Sequence, residues 1–187
     1  MLKGNRVTLR AIEREDLPLL CAYNNDLEIE LAGGGDPPYP QSLARLQAEF
    51  DANASKGGRD APWFAIVVEN KFIGQCALHH FDDIGKTCEL GLGIGDKAYW
   101  SKGYGSETIE LLLHWAFQYR NMRRVWLTTT GDNSRAIRCY LRCGFVEEGR
   151  QRKHIWSGNA GDYVDFVYMG IMKEEWALCL SSTSNVP

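Results

Sequence analysis

The sequence lacks the features that mark secreted and membrane-spanning chains. No uncharged apolar run approaches the ~20 residues that a transmembrane helix needs. The N-terminal stretch, MLKGNRVTLRAIERED, contains no apolar segment of the kind found in signal peptides. We therefore expect a cytoplasmic protein that has no membrane partner.

The chain also lacks an excess of basic residues. Its 187 residues include 21 Lys and Arg against 24 Asp and Glu, which gives a formal charge of −3. Nucleic-acid-binding domains carry a positive surface, so we expect no nucleic-acid partner. Internal repeats, low-complexity tracts and linkers are absent too, and 44% of the residues are apolar. This length and composition predict one domain over residues 1–180 and a flexible tail over 181–187.

The six cysteines do not follow the spacing of a disulfide framework or of a zinc site. Cys139 and Cys143 lie one helical turn apart, but no CxxC motif or neighbouring histidine pair completes a tetrahedral set. His79 and His80 are adjacent on a predicted strand, so their side chains should point to opposite faces and cannot hold one ion together. We expect no metal.

Hydrophobic periodicity and turn residues predict the order β-α-α-β-β-β-α-β-α-β-β, with a short helix at the end. Most strands are joined as hairpins, for example around Glu69-Asn70-Lys71. The stretch LAGGGDPPYP (31–40) is predicted to be a loop, because glycine triplets and proline pairs interrupt regular structure. The order indicates a mixed α/β (α+β) fold.

Two glycines stand at the start of a strongly amphipathic helix in YWSKGYGSETIELLLHWAF (99–117). Glycine costs about 0.8–1 kcal/mol relative to alanine inside a helix, so Gly103 and Gly105 indicate a place where a side chain would obstruct something. A helix N-terminus presents unpaired N–H groups and partial positive charge, which attract anions. We interpret Lys102-Gly103-Tyr104-Gly105-Ser106 as a cradle for a pyrophosphate.

The better-known glycine-rich phosphate motifs do not fit this segment. A P-loop requires GxxxxGK[ST], which the sequence does not contain. A dinucleotide-binding fingerprint requires a third glycine where this chain has Thr108. A plain turn before a core helix stays open as an alternative.

The segments on either side of this helix make a ligand site more specific. Upstream, the strand Glu89–Gly95 is rich in glycine. Glycine occurs within strands where another backbone approaches closely, so the amides of pantetheine could pair with this strand. Downstream, Asn133 and Tyr140 are nearly two turns apart on one predicted helix and so share a face. That face either lines a cleft or is an amphipathic edge.

At these motifs the chain resembles the GNAT superfamily of acyl-CoA N-acyltransferases, and within it the RimJ/RimL type and the related spermidine N-acetyltransferases. The likeness is carried by YWSKGYGSE, DNSRAIRCYLRCGFVEEGRQR and DYVDFVYMGIMKEEW and extends over essentially the whole chain. One departure is Trp100, where the family often has Gln or Arg. The resemblance implies a GNAT fold: a mostly antiparallel sheet of about seven strands, flanked by helices and splayed between the fourth and fifth strands.

The resemblance also implies a reaction, in which an acetyl group moves from the co-substrate acetyl-CoA to a primary amine by direct attack in a ternary complex. Glu89 matches the carboxylate that accepts the amine proton, although a salt-bridged surface glutamate is the alternative. Tyr140 matches the tyrosine that protonates the CoA thiolate, the alternative being a core aromatic. Backbone N–H groups around Leu92 to Ile94 would stabilise the oxyanion. The implied cofactor-binding residues are Leu92, Gly93, Ile94, Trp100, Ser101, Lys102, Gly103, Tyr104, Gly105, Ser106, Asn133 and Ala136.

The acceptor is less well defined by the sequence. Acidic residues in the segments expected to contact the acceptor would suit a cationic small amine or a protein N-terminus. The alternative is that they are only solvated surface residues. They are Asp26, Glu28, Glu30, Asp36, Asp82 and Asp83. Rival hypotheses are a CoA-binding protein without turnover and a purely structural α/β domain. A covalent acyl-cysteine route through Cys88 or Cys139 would need a partnering histidine that the sequence does not indicate. The family also suggests a homodimer.

These motifs predict that the purified, folded protein takes up coenzyme A, because the amides between residues 102 and 106 would hold its diphosphate. Isothermal titration calorimetry measures this directly. If no heat of binding is detected at millimolar CoA, the pyrophosphate interpretation is wrong.

Overall fold

In a computed structural model, which describes residues 1–33, 38–54 and 62–183, eight strands form one sheet. The strands are β1 (Leu2–Lys3), β2 (Val7–Ala11), β3 (Trp63–Val68), β4 (Lys71–Asp82), β5 (Thr87–Ile94), β6 (Arg124–Thr130), β7 (Val146–Ser157) and β8 (Asp162–Met172). Their spatial order is β1-β2-β3-β4-β5-β6-β8-β7. All neighbouring pairs are antiparallel except β5 and β6. The mixed, mostly antiparallel sheet is confirmed, with β1 as one strand more than predicted.

Six α-helices flank the sheet within the described residues. They are α1 (Leu17–Asn24), α2 (Leu27–Gly33), α3 (Leu43–Ala54), α4 (Tyr104–His114), α5 (Ser134–Arg142) and α6 (Lys173–Thr183). The prediction of a loop over 31–40 was wrong at its start, because α2 continues to Gly33, while residues 34–37 lie outside the described residues. No helix in the described ranges is both long and apolar enough to cross a membrane.

The parallel pair β5–β6 is short and then opens. Thr87, Cys88 and Glu89 pair with Arg124, Val125 and Trp126, and the ladder ends there. Beyond this point β5 stays with β4 as far as Ile94, while β6 stays with β8 as far as Thr130. When the two-residue β1 is left out of the count, this is the predicted splay between the fourth and fifth strands.

Two apolar cores lie on opposite faces of β3, whose side chains alternate between them. Ile66 and Val68 belong to the larger core, and Ala65 and Val67 belong to the smaller one beneath α1 and α3. The predicted apolar face packs into the larger core, with every member at most 1% exposed: Ile109, Leu112 and Leu113 of α4, and Ala116 and Phe117 of the π-helical turn Trp115–Tyr119 that continues it. Burial of this face fixes the position of the glycine-opened end of α4.

A bulge in β4 overturns one prediction. His80 has φ of +48°, and the β4–β5 register shifts between His79 and Asp82. Because the bulge interrupts strict alternation, the two histidine side chains do not point to opposite faces, and their Nδ1 atoms are 3.1 Å apart.

The C-terminal helix extends further than expected. Its backbone continues to Thr183, three residues into the predicted tail, and residues 184–187 lie outside the described residues. Trp176 of this helix is buried against Phe117, with ring centroids 5.3 Å apart. The helix therefore adds to the larger core.

An ion pair with one buried partner ties β2 to the turn before α1. Arg10 donates to both Asp16 carboxylate oxygens at 2.6 and 2.8 Å, and the Glu13 amide also donates to Asp16 at 2.9 Å. The Asp16 side chain is only 7% exposed. Burial opposes ionisation, but the hydrogen bonds from Arg10 and Glu13 outweigh it, so the pKa of Asp16 is lowered.

We predict that Asp16→Asn lowers the free energy of unfolding by about 1–3 kcal/mol, because it leaves the Arg10 guanidinium poorly paired. Since the folded-state pKa is lowered, this stabilisation is present above the unfolded-state pKa and is lost as the pH falls through the folded-state value. Urea unfolding at pH 7 and at acidic pH measures both effects. The exposed pair Arg45–Glu49 supplies the control, Glu49→Gln, for which a much smaller loss is expected because solvent screens the pair. Equal losses in the two variants would contradict the assignment.

Candidate active site

A cavity of about 520 Å³ occupies the opening between β5 and β6. Its walls come from β5, the loop before α4, the first turn of α4, the end of β6, and α5. Every predicted site residue except Lys102 and Tyr104 lines it. The splay therefore brings together residues that are far apart in sequence.

Trp100 fixes the end of β5. Its indole Nε1 donates to the Ile94 carbonyl at 2.7 Å, and the Arg135 guanidinium lies 3.8 Å from the centre of its ring system. This residue, at which the chain departs from the resemblance, thus links β5 to α5.

The loop before α4 turns sharply to expose the helix N-terminus. Ser101 has φ of +58°, and Gly103, the N-cap, has φ of +88°, a conformation that glycine adopts without steric cost. Lys102 and Tyr104 are directed to other contacts. The Lys102 carbonyl accepts from Arg6 at 3.1 Å, and the Tyr104 ring packs against the Arg6 guanidinium at 4.7 Å.

Two glycines of the cavity wall have no structural need to be glycine. A Cβ on Gly105 would make only ordinary contacts of 3.7–3.8 Å, and a Cβ on Gly93 would meet nothing within 4 Å. Gly74 differs, because a Cβ there would overlap the carbonyl oxygen of Gly93. Gly93 and Gly105 therefore leave room in the cavity itself, and a plain turn does not account for Gly105.

Asn133 is held by the protein. Its side-chain oxygen caps α5 by accepting from the Ala136 amide at 3.1 Å, and its side-chain nitrogen donates to the Ala32 carbonyl in α2 at 2.7 Å. The residue lines the cavity, as predicted, but its side chain begins α5 and secures α2.

Tyr140 lies on α5, 9% exposed, and lines the same cavity. Burial, and to a lesser degree the neighbouring thiols of Cys139 and Cys143, raises the pKa of Tyr140 to about 12. The phenol is therefore protonated at neutral pH, the state required of a proton donor.

Glu89 lies where the β5–β6 ladder ends, and its side chain is 14% exposed. Its Oε2 atom is 2.7 Å from His80 Nδ1 and 3.6 Å from His79 Nδ1. Burial lowers the pKa of His79, although the Glu89 charge opposes this. Glu89 therefore lines the cavity and is also in contact with two histidines, while its role as proton acceptor stays a prediction.

The predicted acidic rim is largely occupied by its own partners. Asp26 and Glu28 both contact Lys97 at 2.8 Å. Asp82 accepts from the amides of its own turn, and Asp83 lies 3.6 Å from Lys86. Burial raises the pKa of Glu30, and Asp36 lies outside the described residues. Lys97 balances only one of the two carboxylates that it contacts, and amide hydrogen bonds leave the charge of Asp82 in place, so the rim keeps a net negative charge.

Sequence reasoning missed a basic stripe on α5. Arg135, Arg138 and Arg142 line the cavity together with Tyr140. Their spacing of three and four residues places the three arginines on one stripe of α5, and this spacing could have been found in the sequence. At 3.6 residues per turn that stripe lies roughly opposite the one that carries Asn133 and Tyr140.

The two candidate cysteines have different environments. Cys88 is buried in the larger core, and burial raises the pKa of its thiol to about 12. Cys139 lines the cavity with its Sγ 3.3 Å from Ser106 Oγ, and hydrogen bonding to Cys143 lowers the pKa of its thiol. Of the two, only Cys139 is placed to meet a ligand in the cavity.

A splayed sheet with a glycine-opened helix at the opening defines an acyl-CoA transferase fold, and comparison with known proteins agrees. The model of the acetyltransferase (GNAT) domain matches residues 6–146. The chain belongs to the GNAT acetyltransferase family.

Several relatives span nearly the whole chain. An uncharacterized N-acetyltransferase, p20, from Bacillus licheniformis is 28% identical over 94% of this chain and 98% of its own length. The spermidine N(1)-acetyltransferase of Vibrio cholerae is 27% identical over 92% of this chain and 96% of its own. The crystal structure of spermidine N-acetyltransferase from Vibrio cholerae with CoA and spermine superposes with a TM-score of 0.82 at 25% identity, covering 93% of this chain and 99% of that one.

We predict that Gly105→Ala and Gly93→Ala weaken CoA binding by about tenfold, equal to about 1.4 kcal/mol, without destabilising the fold. The added methyl groups would fill space in the cavity and clash with nothing in the protein. Calorimetry with CoA and thermal unfolding measure the two properties separately. Gly149→Ala, which has equally open surroundings away from the cavity lining, is the matched control. Unchanged affinity in both cavity variants would show that the glycines serve no ligand.

Proposed function

We propose that the protein transfers an acetyl group from acetyl-CoA to a primary amine by direct attack in a ternary complex. The observation that carries this proposal is the presence in one cavity of a protonated, buried tyrosine, a carboxylate at the end of the strand ladder, and an open helix N-terminus. We take residues 1–180 to be the single catalytic domain of a cytoplasmic enzyme.

Acetyl-CoA would lie along the splay. The side of Leu92, Gly93 and Ile94 that faces away from β4 has no strand partner in the described chain. The Ile94 carbonyl on this stretch is taken by Trp100, and other backbone groups along it can pair with pantetheine. The diphosphate would be bound by the amides of the loop and first turn, with Trp100, Ser101, Gly105, Ser106 and Ala136 among the walls. The arginines of α5 would add positive charge for phosphate.

The residues present can manage the protons of the reaction. A lysine-like amine has a pKa of about 10.4 in water and must lose a proton before it attacks. Glu89 would accept that proton, directly or through water. A backbone N–H of Leu92 to Ile94 would stabilise the oxyanion, and Tyr140 would protonate the departing CoA thiolate.

A small amine is the acceptor class that we favour, because the relative and the solved structure from Vibrio cholerae are described as spermidine acetyltransferases. The net negative charge of the acidic rim suits such a cationic amine. A protein N-terminus, the acceptor of RimJ/RimL-type enzymes, is the second class to test.

We predict that Tyr140→Phe lowers kcat by about 10²-fold or more while CoA affinity stays the same, because only the proton donor is removed. A thiol-release assay with acetyl-CoA and a panel of polyamines, aminoglycosides and N-terminal peptides measures the rate and ranks the acceptors. Tyr119→Phe, at an exposed tyrosine, is the control and should retain full activity. Comparable losses of affinity and kcat would argue against the role of Tyr140.

The assay also separates the rival functions. Binding of CoA without thiol release for any amine would favour a CoA-binding protein without turnover. Loss of acetyl transfer in Cys139→Ala, together with an acetylated enzyme intermediate, would favour the covalent route.

A further inference from the structure

Beside the cavity, three potential metal ligands converge outside the predicted CoA path. His79 and His80 come from the bulge of β4, and Glu89 comes from the facing strand β5. Among the described residues this is the one group of three His, Cys, Asp or Glu side chains whose ligand atoms lie within 4.8 Å of one another.

The three donor atoms have the spacing of a metal site. His79 Nδ1 and His80 Nδ1 are 3.1 Å apart, His80 Nδ1 and Glu89 Oε2 are 2.7 Å apart, and His79 Nδ1 and Glu89 Oε2 are 3.6 Å apart. Tetrahedral zinc with bonds of about 2.0–2.1 Å keeps its ligand atoms about 3.3–3.4 Å from each other. The three observed distances lie on either side of that value. His80 Nδ1 and Glu89 Oε2 are close enough for a hydrogen bond, which an ion bound to both would replace.

The backbone of His80 is in an unusual conformation that serves this arrangement. A positive φ at a residue other than glycine is uncommon, and here it turns the second histidine toward the first. A regular strand would separate the two imidazoles by the thickness of the sheet.

We propose that His79, His80 and Glu89 form a binding site for a divalent transition metal ion such as Zn²⁺, with a fourth position open to water. Two imidazoles and one carboxylate are a ligand set that zinc uses in open sites. The His80 side chain is 72% exposed, so an ion can enter from solvent, while His79 and Glu89 reach the cavity wall.

Metal binding would bear on the proposed function, although it does not depend on it. An ion on Glu89 engages the carboxylate that is proposed to accept the amine proton. Acetyl transfer should therefore be inhibited by Zn²⁺ and restored by a chelator, which makes the site an inhibitory one.

Titration of the apoprotein with Co²⁺, followed by visible absorption and calorimetry, tests the site without reference to activity. We expect one Co²⁺ per chain and the spectrum of a nitrogen and oxygen ligand set. Cysteine ligands would instead add intense thiolate charge-transfer bands in the near ultraviolet. Either such bands or the absence of binding at millimolar Co²⁺ would overturn the proposal.

Two variants locate the ion. His80→Asn, chosen because asparagine tolerates positive φ, and Glu89→Gln should each weaken Co²⁺ binding by about 10–100-fold. His154→Asn, which removes an exposed histidine on β7, is the control and should bind like the wild type. Circular dichroism verifies that each variant is folded. Equal affinities in all three variants would overturn the proposal, whereas Co²⁺ binding by a protein inactive toward every amine would contradict only the proposed function.

Discussion

The early end of the β5–β6 ladder is the constraint on which the rest of the site depends. Parallel pairing stops at Glu89 and Trp126, and each strand continues with its other neighbour. The opening leaves one side of β5 without a strand partner in the described chain and admits both the start of α4 and the face of α5. Because the backbone hydrogen-bonding groups of β5 are then available, a ligand with amides of its own can occupy the place of the missing strand.

Residues near the N-terminus contact the start of α4, which forms part of the wall of this opening. Glu107 in the first turn of α4 accepts from the backbone amides of Arg6 and Val7 at 2.7 and 3.0 Å. Arg6 also contacts the Lys102 carbonyl and the Tyr104 ring. Lys102 and Tyr104, which sequence reasoning placed in the ligand cradle, do not line the cavity and instead contact Arg6.

Much of the fold could be predicted because its signals are local. The apolar stripe of α4, the glycines at its start and the turn at Glu69-Asn70 depend on neighbouring residues, and all three are confirmed. The failures depend on distant residues. The alternation rule at His79 and His80 fails at a bulge, whose position is set by pairing with β5. Asn133 is engaged by Ala32, a contact with α2 that no pattern within α5 can indicate.

The order of the strands also gives the sheet two edge strands of very different length. One border is β1, only two residues long, and the other is β7, twelve residues long with one side unpaired in the described chain. β7 carries many charged residues, among them Glu147, Glu148, Arg150, Arg152 and Lys153. Charged side chains along an unpaired edge strand disfavour the addition of a strand from another molecule. The longer of the two sheet edges, β7, is therefore protected against aggregation.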